Sequence, residues 1–359
     1  MVGEELKCYQ NKKVFITGHT GFKGTWLTLL LKSIGAVPSG FSLPPDSEPS
    51  HFDLIRDNIN SSTFGDIRDL ENLRKSMVQF SPHIVFHLAA QPLVRESYIN
   101  PVNTYETNVL GTLNVLECIK SCPSIKAVVI ITTDKVYENN EWLYPYREHD
   151  RLGGYDPYSS SKACTEILVS SFRNSFYNLK EYEKKHNILI ATARAGNVIG
   201  GGDWSSDRLI PDVVRSAFLN TKTKIRSPNS IRPWQHVLDC LYGYLLLGQK
   251  LLSGNTDYSG SWNFAPLPNE SKTVLEVLEE CKKEWKRIEF EFTDSYLNPH
   301  EATTLKLDSS KSSTLLKWIP KWGTEEAILK TIEWYREFYE SNKVITQNQI
   351  QKYLTSLKS

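Results

Sequence analysis

A glycine-rich loop near the start of the chain limits what this sequence can fold into more than any other feature. The loop reads Thr17-Gly18-His19-Thr20-Gly21-Phe22-Lys23-Gly24, between a short β-branched and aromatic run at 14–17 and a helix-length apolar stretch at 22–34. Glycines in this context allow a tight turn, a close approach of the backbone to a bound group and close packing of the helix on the sheet. The free N–H groups at the start of the helix would favour a pyrophosphate. The alternative is an ordinary strand-to-helix turn.

Strand-like and helix-like segments alternate through the first half of the chain. The strand candidates are 14–17, 37–41, 84–88, 127–131 and 188–193, and the helix-length segments among them include 22–34 and 101–120. Such alternation predicts parallel strands joined by crossover helices. We therefore predict an α/β fold with a doubly wound parallel sheet of the Rossmann type and a second, smaller α/β domain.

The pattern changes after Arg194. Residues 196–204 are rich in glycine and turn formers, 209–219 and 237–252 have helical spacing, and 262–264 is a possible strand. We predict a discontinuous cofactor domain and a smaller substrate domain, followed by a polar, solvated C-terminal tail. The predicted boundaries are 1–193 and 234–265 for the first domain, 194–233 and 266–345 for the second, and 346–359 for the tail.

Composition excludes several classes of protein. Among 359 residues, 42 Lys and Arg against 41 Asp and Glu give a formal net charge of +1, which argues against a nucleic-acid binder. No apolar stretch is long enough to span a bilayer, and the polar N-terminus has no signal-peptide core. The six scattered cysteines complete no zinc site, so we expect no metal, and reduced thiols in a cytoplasmic protein.

The residues after the second predicted strand lack the acid that usually holds the ribose hydroxyls of NAD. The run Ser39–Leu43 contains no charged residue, and the first acid, Asp46, follows two prolines. The Ser42 hydroxyl could take the place of the acid. Because no cation is present for a 2′-phosphate either, we expect NAD rather than NADP.

Two further segments fit a cofactor site. Asp66, beside Ile67, could accept a hydrogen bond from an adenine amino group or, alternatively, cap a helix that begins near Asp69. The run Leu88-Ala89-Ala90 ends a predicted strand with small residues, which would let a ribose lie against the backbone. His87, within that apolar strand, is interpreted as a buried core residue.

A second group of residues has the chemistry of a catalytic site. Tyr158 and Lys162 lie four residues apart, on one face of a predicted helix. A nearby cation favours the phenolate and lowers a tyrosine pKa, so the pair predicts a general base. Thr133, Asp134 and Lys135 follow a predicted parallel strand, whose carboxyl end faces the ligand crevice. The alternative for Tyr158 and Lys162 is a solvated helix face, and the alternative for Asp134 and Lys135 is a surface ion pair.

The glycine loop, the Tyr158–Lys162 pair and the run Arg194-Ala195-Gly196-Asn197-Val198 together resemble the extended short-chain dehydrogenase/reductase family. Further segments resemble its nucleotide-sugar 4,6-dehydratases and, among these, the branch that acts on CDP-glucose. The segments are Gly18–Trp26, 89–95, 133–135, 200–204, 207–212, 232–237 and 299–302. The resemblance runs from about Lys12 to Trp334.

The resemblance implies a reaction in three steps: oxidation of the sugar at carbon 4 by hydride transfer to NAD+, elimination of water across carbons 5 and 6, and return of the hydride to carbon 6. Tyr158 would take the proton of the 4-hydroxyl, with Lys162 lowering its pKa, and Thr133 would hydrogen-bond the 4-oxygen. Asp134 would be the acid for the departing 6-hydroxyl if burial raises its pKa. Lys135 would be the base at carbon 5.

The resemblance also implies binding residues and an assembly. Predicted cofactor-binding residues are Gly18, Thr20, Gly21, Phe22, Lys23, Gly24, Ser42, Asp66, Ile67, Leu88, Ala89, Ala90, Asn108, Tyr158 and Lys162. Predicted substrate-binding residues are Arg95, Asn197, Leu209, Arg232, Trp234, Asn263 and His300. The planar fork of Arg232 suits the substrate diphosphate, whereas Leu209 and Trp234 could equally be core residues. A homodimer built on the helices around 101–120 and 158–176 is expected.

Lys135 departs from the dTDP-glucose dehydratases, which have glutamate at the matching place. A lysine must lose its proton before it acts as a base, which burial or neighbouring cations would promote. Three alternatives stay open. A nucleotide-sugar 4-epimerase would share the fold and Tyr158 but would need no Asp134–Lys135 pair. A dehydratase of dTDP- or GDP-sugars is the nearer alternative, because the choice of nucleotide base depends on the shape of the pocket. The near-neutral charge and the presence of Thr133, Asp134, Tyr158 and Lys162 argue against an NAD- or RNA-binding member without activity.

Overall fold

The computed structural model describes residues 4–59, 61–267, 270–293 and 304–357. The strands there are β1 (Lys13–Thr17), β2 (Val37–Ser42), β3 (Ser62–Phe64), β4 (Ile84–His87), β5 (Ala127–Ile131), β6 (Leu189–Ala195), β7 (Asn197–Ile199), β8 (Thr223–Ile225), β9 (Ile231–Arg232), β10 (Trp234–His236), β11 (Ser261–Phe264), β12 (Lys272–Thr273) and β13 (Phe290–Phe292). The α-helices are α1 (Phe22–Ser33), α2 (His51–Leu54), α3 (Leu70–Phe80), α4 (Val94–Ile99), α5 (Pro101–Tyr105), α6 (Gly111–Ile119), α7 (Pro157–Phe176), α8 (Leu209–Phe218), α9 (Val237–Leu252), α10 (Val274–Glu284), α11 (Thr324–Ser341) and α12 (Thr346–Ser356). Short 3₁₀ turns lie at Glu4–Tyr9, Arg56–Asn58, Asp134–Val136, Leu179–Glu181 and Thr256–Tyr258, and π turns at Glu106–Leu110 and Ser312–Leu316.

Seven strands form one parallel sheet in the order β3-β2-β1-β4-β5-β6-β11. The order reverses between β1 and β4, and a ligand crevice opens at such a switch point beyond the carboxyl ends of the strands. The predicted doubly wound α/β fold is confirmed. Each strand predicted in the first half is present.

Alternate residues of the central strands contribute to two cores, one on each face of the sheet. Phe15, Val85 and Val128 pack with α3, α6 and α7, whereas Ile16 and Phe86 face α1 and α9. Both sets are fully buried because helices cover both faces of a parallel sheet. The strands therefore read as continuous apolar runs.

His87 is a core residue, as predicted from its place in the strand. Its ring joins β1 to the helix that crosses behind the sheet, with Nδ1 2.6 Å from the Thr17 hydroxyl and Nε2 2.9 Å from the Thr112 hydroxyl. Burial lowers its pKa to about 3, so the ring is neutral. His87 ties β1, β4 and α6 together below the crevice.

The segment predicted as one helix at 101–120 is helical throughout but contains a π turn. Segments α5, Glu106–Leu110 and α6 follow one another with helical backbone angles at the joints. One residue is inserted in such a turn, which shifts the face that the following residues present. None of the described helices is long and apolar enough to cross a membrane.

The second half adds three two-stranded pairings around the crevice. Strand β7 pairs with β10 and β8 with β13, both parallel, while β9 and β12 are antiparallel. These pairings bring 197–199, 223–225 and 231–232 over the carboxyl ends of the large sheet. The structure gives no test of the domain boundaries, which stay a prediction.

The prediction of a solvated tail after residue 345 is wrong. Residues Thr346–Ser356 form α12, and Ile350, Tyr353 and Leu354 on one face are buried. The Tyr353 hydroxyl donates to Asp239 Oδ1 on α9 at 2.7 Å. Only three apolar residues occur in this polar segment, but their helical spacing is enough for one buried face.

Candidate active site

One cavity of about 850 Å³ lies beyond the carboxyl ends of β1, β2, β4 and β5. The sheet forms its floor, and the segments that follow β6 and α8 form the opposite wall. It is lined by all but one of the predicted cofactor residues, namely Gly18, Thr20, Gly21, Phe22, Lys23, Gly24, Ser42, Asp66, Ile67, Leu88, Ala89, Ala90, Tyr158 and Lys162. Thr133, Asp134 and Lys135 line the same cavity.

The glycine loop has the geometry that a pyrophosphate needs. Gly18 has φ +76°, and a Cβ there would lie 2.6 Å from Ala89 N, while a Cβ on Gly24 would lie 2.0 Å from Gly18 O. Gly21 is the N-cap of α1 and makes no side-chain cap, and the first turn holds no acid. The N–H groups at the start of α1 are therefore left for an anion. These residues fit the diphosphate of NAD.

Neutral hydroxyls occupy the end of β2, where the usual acid is missing. The Ser42 and Thr20 hydroxyls lie 2.8 Å apart, and Thr20 also donates to Leu43 O at 2.9 Å. On the neighbouring strand, Asp66 forms an ion pair with Arg68 at 2.6 Å, and hydrogen bonds from Arg68 lower the pKa of Asp66. The helix cap considered for Asp66 is provided instead by Asp69.

Asp134 is buried at the end of β5 with one carboxyl oxygen unpaired. Its Oδ1 accepts a hydrogen bond from Thr133 at 2.9 Å, whereas Oδ2 has no hydrogen-bond partner in the described part of the chain. Burial raises the pKa of Asp134, opposed by the Lys135 charge and the Thr133 hydrogen bond. The surface ion pair considered for Asp134 and Lys135 is excluded because Asp134 is 2% exposed.

Tyr158 and Lys162 lie in the first turns of α7, which Asp156 caps by accepting from Ser159 N at 2.9 Å. Lys162 Nζ donates to Ile131 O at 3.2 Å, which places the ammonium group at the end of β5. Burial lowers the pKa of Lys162 to about 8. The group is therefore still largely charged at neutral pH.

The predicted lowering of the Tyr158 pKa by Lys162 is wrong for this structure. Burial raises the pKa of Tyr158 to about 12, and the groups that oppose the rise most strongly are the Thr133 hydroxyl and the Arg208 charge. A spacing of four residues on a helix places Tyr158 and Lys162 on one face. It does not fix where the ends of two long side chains lie, and Lys162 reaches down to the β5 carbonyl instead.

A buried ion pair supports the strand end from behind. Glu166 and Arg194 are joined at 2.8 Å with both side chains 2% exposed. The Thr132 hydroxyl donates to Glu166 Oε1 at 2.5 Å and the Thr192 hydroxyl to Oε2 at 2.7 Å. Arg194 also donates to the Tyr137 hydroxyl at 2.7 Å. This network fixes the backbone on both sides of Thr133.

Five of the predicted substrate residues line the cavity on the side of the smaller pairings: Arg95, Asn197, Leu209, Arg232 and Trp234. Arg95 is paired with Asp207 at 2.9 Å across the cavity mouth. Trp234 is 3% exposed and donates to Lys272 O. It is therefore both a core residue and a wall residue.

Two predicted contacts lie behind the cavity, and one falls outside the described residues. Asn263 is fully buried on β11, where its side chain bonds to the Tyr137 hydroxyl and to backbone oxygens. Asn108 bonds to the Gln91 backbone and to the Ser161 hydroxyl, so it positions these residues rather than lining the cavity. These two predictions are corrected, because their polar atoms are used within the fold. His300 lies outside the described residues.

Several residues that line the cavity were not predicted from the sequence. Arg208, the N-cap residue of α8, lines the cavity and binds Asp203 at 2.8 Å. Burial by itself would lower the Arg208 pKa, but Asp203 outweighs it and the net pKa is raised. The run from Thr223 to Ser227 also lines the cavity. An arginine just before a helix was a usable signal for Arg208, whereas the polar run at 223–227 has no such mark.

Comparisons with known proteins agree with this geometry. Residues 15–331 match the family model described as GDP-mannose 4,6 dehydratase. The chain is 47% identical over 351 residues to CDP-glucose 4,6-dehydratase of Salmonella typhimurium, covering 97% of this chain and 98% of that protein.

Solved structures show the same fold. An epimerase from Methanothermobacter thermautotrophicus superimposes with a TM-score of 0.79 at 24% identity, covering 97% of both chains. The dTDP-glucose 4,6-dehydratase of Bacillus anthracis, in complex with NAD, gives 0.74 at 23% identity, covering 92% of this chain and 98% of that one. From the matched length and the 47% identity, this chain belongs to the GDP-mannose 4,6 dehydratase family, a family of NAD-dependent nucleotide-sugar dehydratases.

Proposed function

We propose that this protein catalyses the NAD-dependent dehydration of CDP-D-glucose to CDP-4-keto-6-deoxy-D-glucose. The observation that carries the proposal is the 47% identity to a CDP-glucose 4,6-dehydratase over almost the full length of both chains. The site supports it, because a buried acid, a lysine and a tyrosine line one cavity of about 850 Å³.

The cofactor would lie along the glycine loop and the end of β2. The start of α1 and Lys23 would hold its diphosphate, and Ser42, Thr20 and Asp66 would contact its adenosine half. When bound, NAD+ supplies the acceptor for the hydride from carbon 4 and later returns that hydride to carbon 6.

Tyr158 would take the proton of the sugar 4-hydroxyl. With its pKa raised to about 12 by burial, the phenol is protonated at neutral pH and needs positive charge beside it to act as a base. Arg208, whose charge opposes the rise, lines the same cavity and would supply that charge. The Thr133 hydroxyl would hydrogen-bond the 4-oxygen and hold the sugar in register with Asp134.

Asp134 and Lys135 would carry the elimination of water. Asp134, whose pKa burial raises, would give its proton to the departing 6-hydroxyl, and Lys135 would take the proton from carbon 5. A proton returns to carbon 5 as hydride returns to carbon 6. The overall change is the loss of one water molecule, with the cofactor regenerated.

The substrate diphosphate would lie under the second half of the chain. Arg232 is the proposed clamp, Arg95 and Asn197 would contact the sugar or the diphosphate, and Leu209 and Trp234 would form the apolar wall. The assignment of 194–233 and 266–345 to substrate binding, and of His300 to a substrate contact, stays part of this proposal.

The experiment uses CDP-glucose deuterated at carbon 4, incubated with the protein and NAD+. We expect the label at carbon 6 of a 4-keto-6-deoxy product. Label kept at carbon 4 would indicate a different reaction. Turnover only with dTDP-glucose or GDP-mannose would overturn the proposed specificity for the CDP-sugar. Release of the 6-hydroxyl at the wild-type rate by Lys135→Ala would remove Lys135 from its step.

We also propose that the protein is a homodimer. Val102, Tyr105 and Leu110 leave apolar surface exposed on one helical segment, and Ile167 does so on the neighbouring α7. Sedimentation of the wild type against Val102→Lys tests this face. For the setting, we propose cytoplasmic deoxysugar synthesis that supplies lipopolysaccharide O-antigen.

A further inference from the structure

The C-terminal helix α12 contacts the wall of the cavity through one buried residue. The family match ends at residue 331, so α12 lies outside it. Thr346, the first residue of α12, is 1% exposed, and its hydroxyl lies 2.8 Å from Nε2 of His51. His51 lines the cavity.

His51 begins α2 and ends the segment that follows β2. Residues 42–47, 50 and 51 of this segment line the cavity on the side of the glycine loop, where a dinucleotide places its adenosine half. The segment contains three prolines and only one short helix, so little of its own backbone bonding holds it in place.

Aromatic residues pack around the His51 ring and hold the cavity-lining segment 42–51 in place. The ring centroid lies 5.5 Å from that of Trp26 on α1 and 5.5 Å from that of Trp334 on α11. Gly202 permits the close approach from the other side, since a Cβ there would lie 2.5 Å from His51 Cγ. Burial lowers the His51 pKa to about 3, so the ring is neutral.

The Thr346 hydroxyl oxygen joins two elements, α2 through His51 and α11 through Trp334. The indole N–H of Trp334, which can only donate, bonds to Thr346 Oγ1 at 2.9 Å. The same oxygen meets His51 Nε2. Thr346 therefore holds the cavity wall to α11 and α12 together.

We propose that Thr346 is a positioning residue for the cofactor: by holding His51, it fixes the wall at 42–51 in the conformation that binds the adenosine half of NAD. This rests on the proposed function. The helix after the family match thus contributes to cofactor affinity without touching the cofactor.

The test measures the Kd for NAD+ of the full-length protein by quenching of tryptophan fluorescence. Thr346→Val keeps the shape and removes the hydroxyl, and we expect a Kd about fivefold higher, the size expected for one net hydrogen bond. The rate at saturating NAD+ should stay at the wild-type value. Thr346→Ser, which keeps the hydroxyl, should restore the wild-type Kd.

Two controls on the same helix separate positioning from stability. Thr355→Val makes the same chemical change at an exposed position whose hydroxyl bonds only within the helix. Tyr353→Phe loosens α12 from Asp239 far from His51. We expect both to leave the Kd within twofold, even where the melting temperature falls.

The outcomes are distinguishable. A Thr346→Val protein with the wild-type Kd, or one whose Kd rises no more than that of Tyr353→Phe, overturns the positioning role and leaves the proposed function intact. Failure of the wild type to bind NAD+ overturns the proposed function and this proposal with it.

Discussion

Two carboxyl groups beside the end of β5 have pKa values that are shifted in opposite directions, although both groups are buried. Asp134, at the front of the strand end, is 2% exposed, and Glu166, behind it on α7, is 3% exposed. Burial by itself raises the pKa of both groups. At Glu166 the Arg194 charge and hydrogen bonds from Arg194, Thr132 and Thr192 outweigh burial, so the net pKa is lowered. At Asp134 the Lys135 charge and the Thr133 hydrogen bond do not outweigh burial, so the net pKa is raised.

The comparison shows that partners rather than depth decide what a buried carboxyl group does. Glu166 has donors on both oxygens and stays ionised, so it serves the fold. Asp134 keeps one oxygen without a partner in the described residues and its pKa is raised, which is the direction that a proton donor needs. The Glu166–Arg194 ion pair thus supports the end of β5 from behind, and Asp134 lies at the front of the same strand end.

The largest effect is expected at Asp134. Asp134→Asn removes the transferable proton while keeping the shape, so the rate of product formation should fall by about 10²- to 10⁴-fold. The melting temperature should stay at or above the wild-type value, because a buried acid with an unpaired oxygen is lost. Product formation followed by NMR and a thermal melt check both.

Asp257→Asn, the same change in an exposed turn, serves as the control and should keep full activity. If Asp134→Asn kept the wild-type rate, Asp134 would not be the proton donor, and the contrast with Glu166 would have no role in the reaction.

The next effect concerns Glu166. Glu166→Ala leaves the Arg194 guanidinium buried without its counter-ion, and the free energy of unfolding should fall by about 3–5 kcal/mol. Urea denaturation measures this. Glu71→Ala is the matched control, because Glu71 pairs with Arg74 on the surface and its side chain is 80% exposed. There the loss should stay below about 1 kcal/mol. Equal losses for both variants would contradict the comparison.

The smallest effect is a pH dependence at a third buried carboxyl group. Burial raises the pKa of Asp239 to about 7, opposed by hydrogen bonds from the Lys321 and Trp322 backbone and from Tyr353. A raised folded-state pKa gives stability that is full below the unfolded value near 4 and is lost as pH rises towards 7.

The stability of the wild type minus that of Asp239→Asn should therefore decrease between pH 4 and pH 7, as measured by urea denaturation at each pH. A difference that stays constant over this range would show that folding does not raise the pKa of Asp239.

Local sequence patterns predicted much of the large sheet. The apolar runs of β1, β4 and β5 and the glycines of the first loop depend on nearest neighbours, which a single sequence displays. The same holds for Thr133, Asp134 and Lys135, whose place at a strand end put them in the crevice. The polar helix α12 was missed because three apolar residues become a buried face only against α1 and α9.

Site residues were predicted less evenly, and the reason is again physical. Asn108 and Asn263 have side chains that could contact a ligand. Their amides instead hydrogen-bond to backbone groups that only the tertiary fold brings close to them. The Arg208 charge influences the Tyr158 pKa from a separate loop, and no spacing in the sequence indicates that the two residues are near each other. The Tyr158–Lys162 spacing predicted a shared helix face but gave the wrong pKa shift.

The sequence by itself determined the α/β fold, the glycine loop with its uncapped helix, and the place of the candidate catalytic side chains at a strand end, because short-range geometry and residue chemistry are sufficient for each. Only the tertiary structure decided in which direction the pKa of each buried carboxyl group is shifted, which asparagines are free to contact a ligand, and that residues 346–356 pack against the core. Burial and partnership are properties of neighbours far apart in the chain, and the pKa and the available hydrogen bonds of a side chain depend on both.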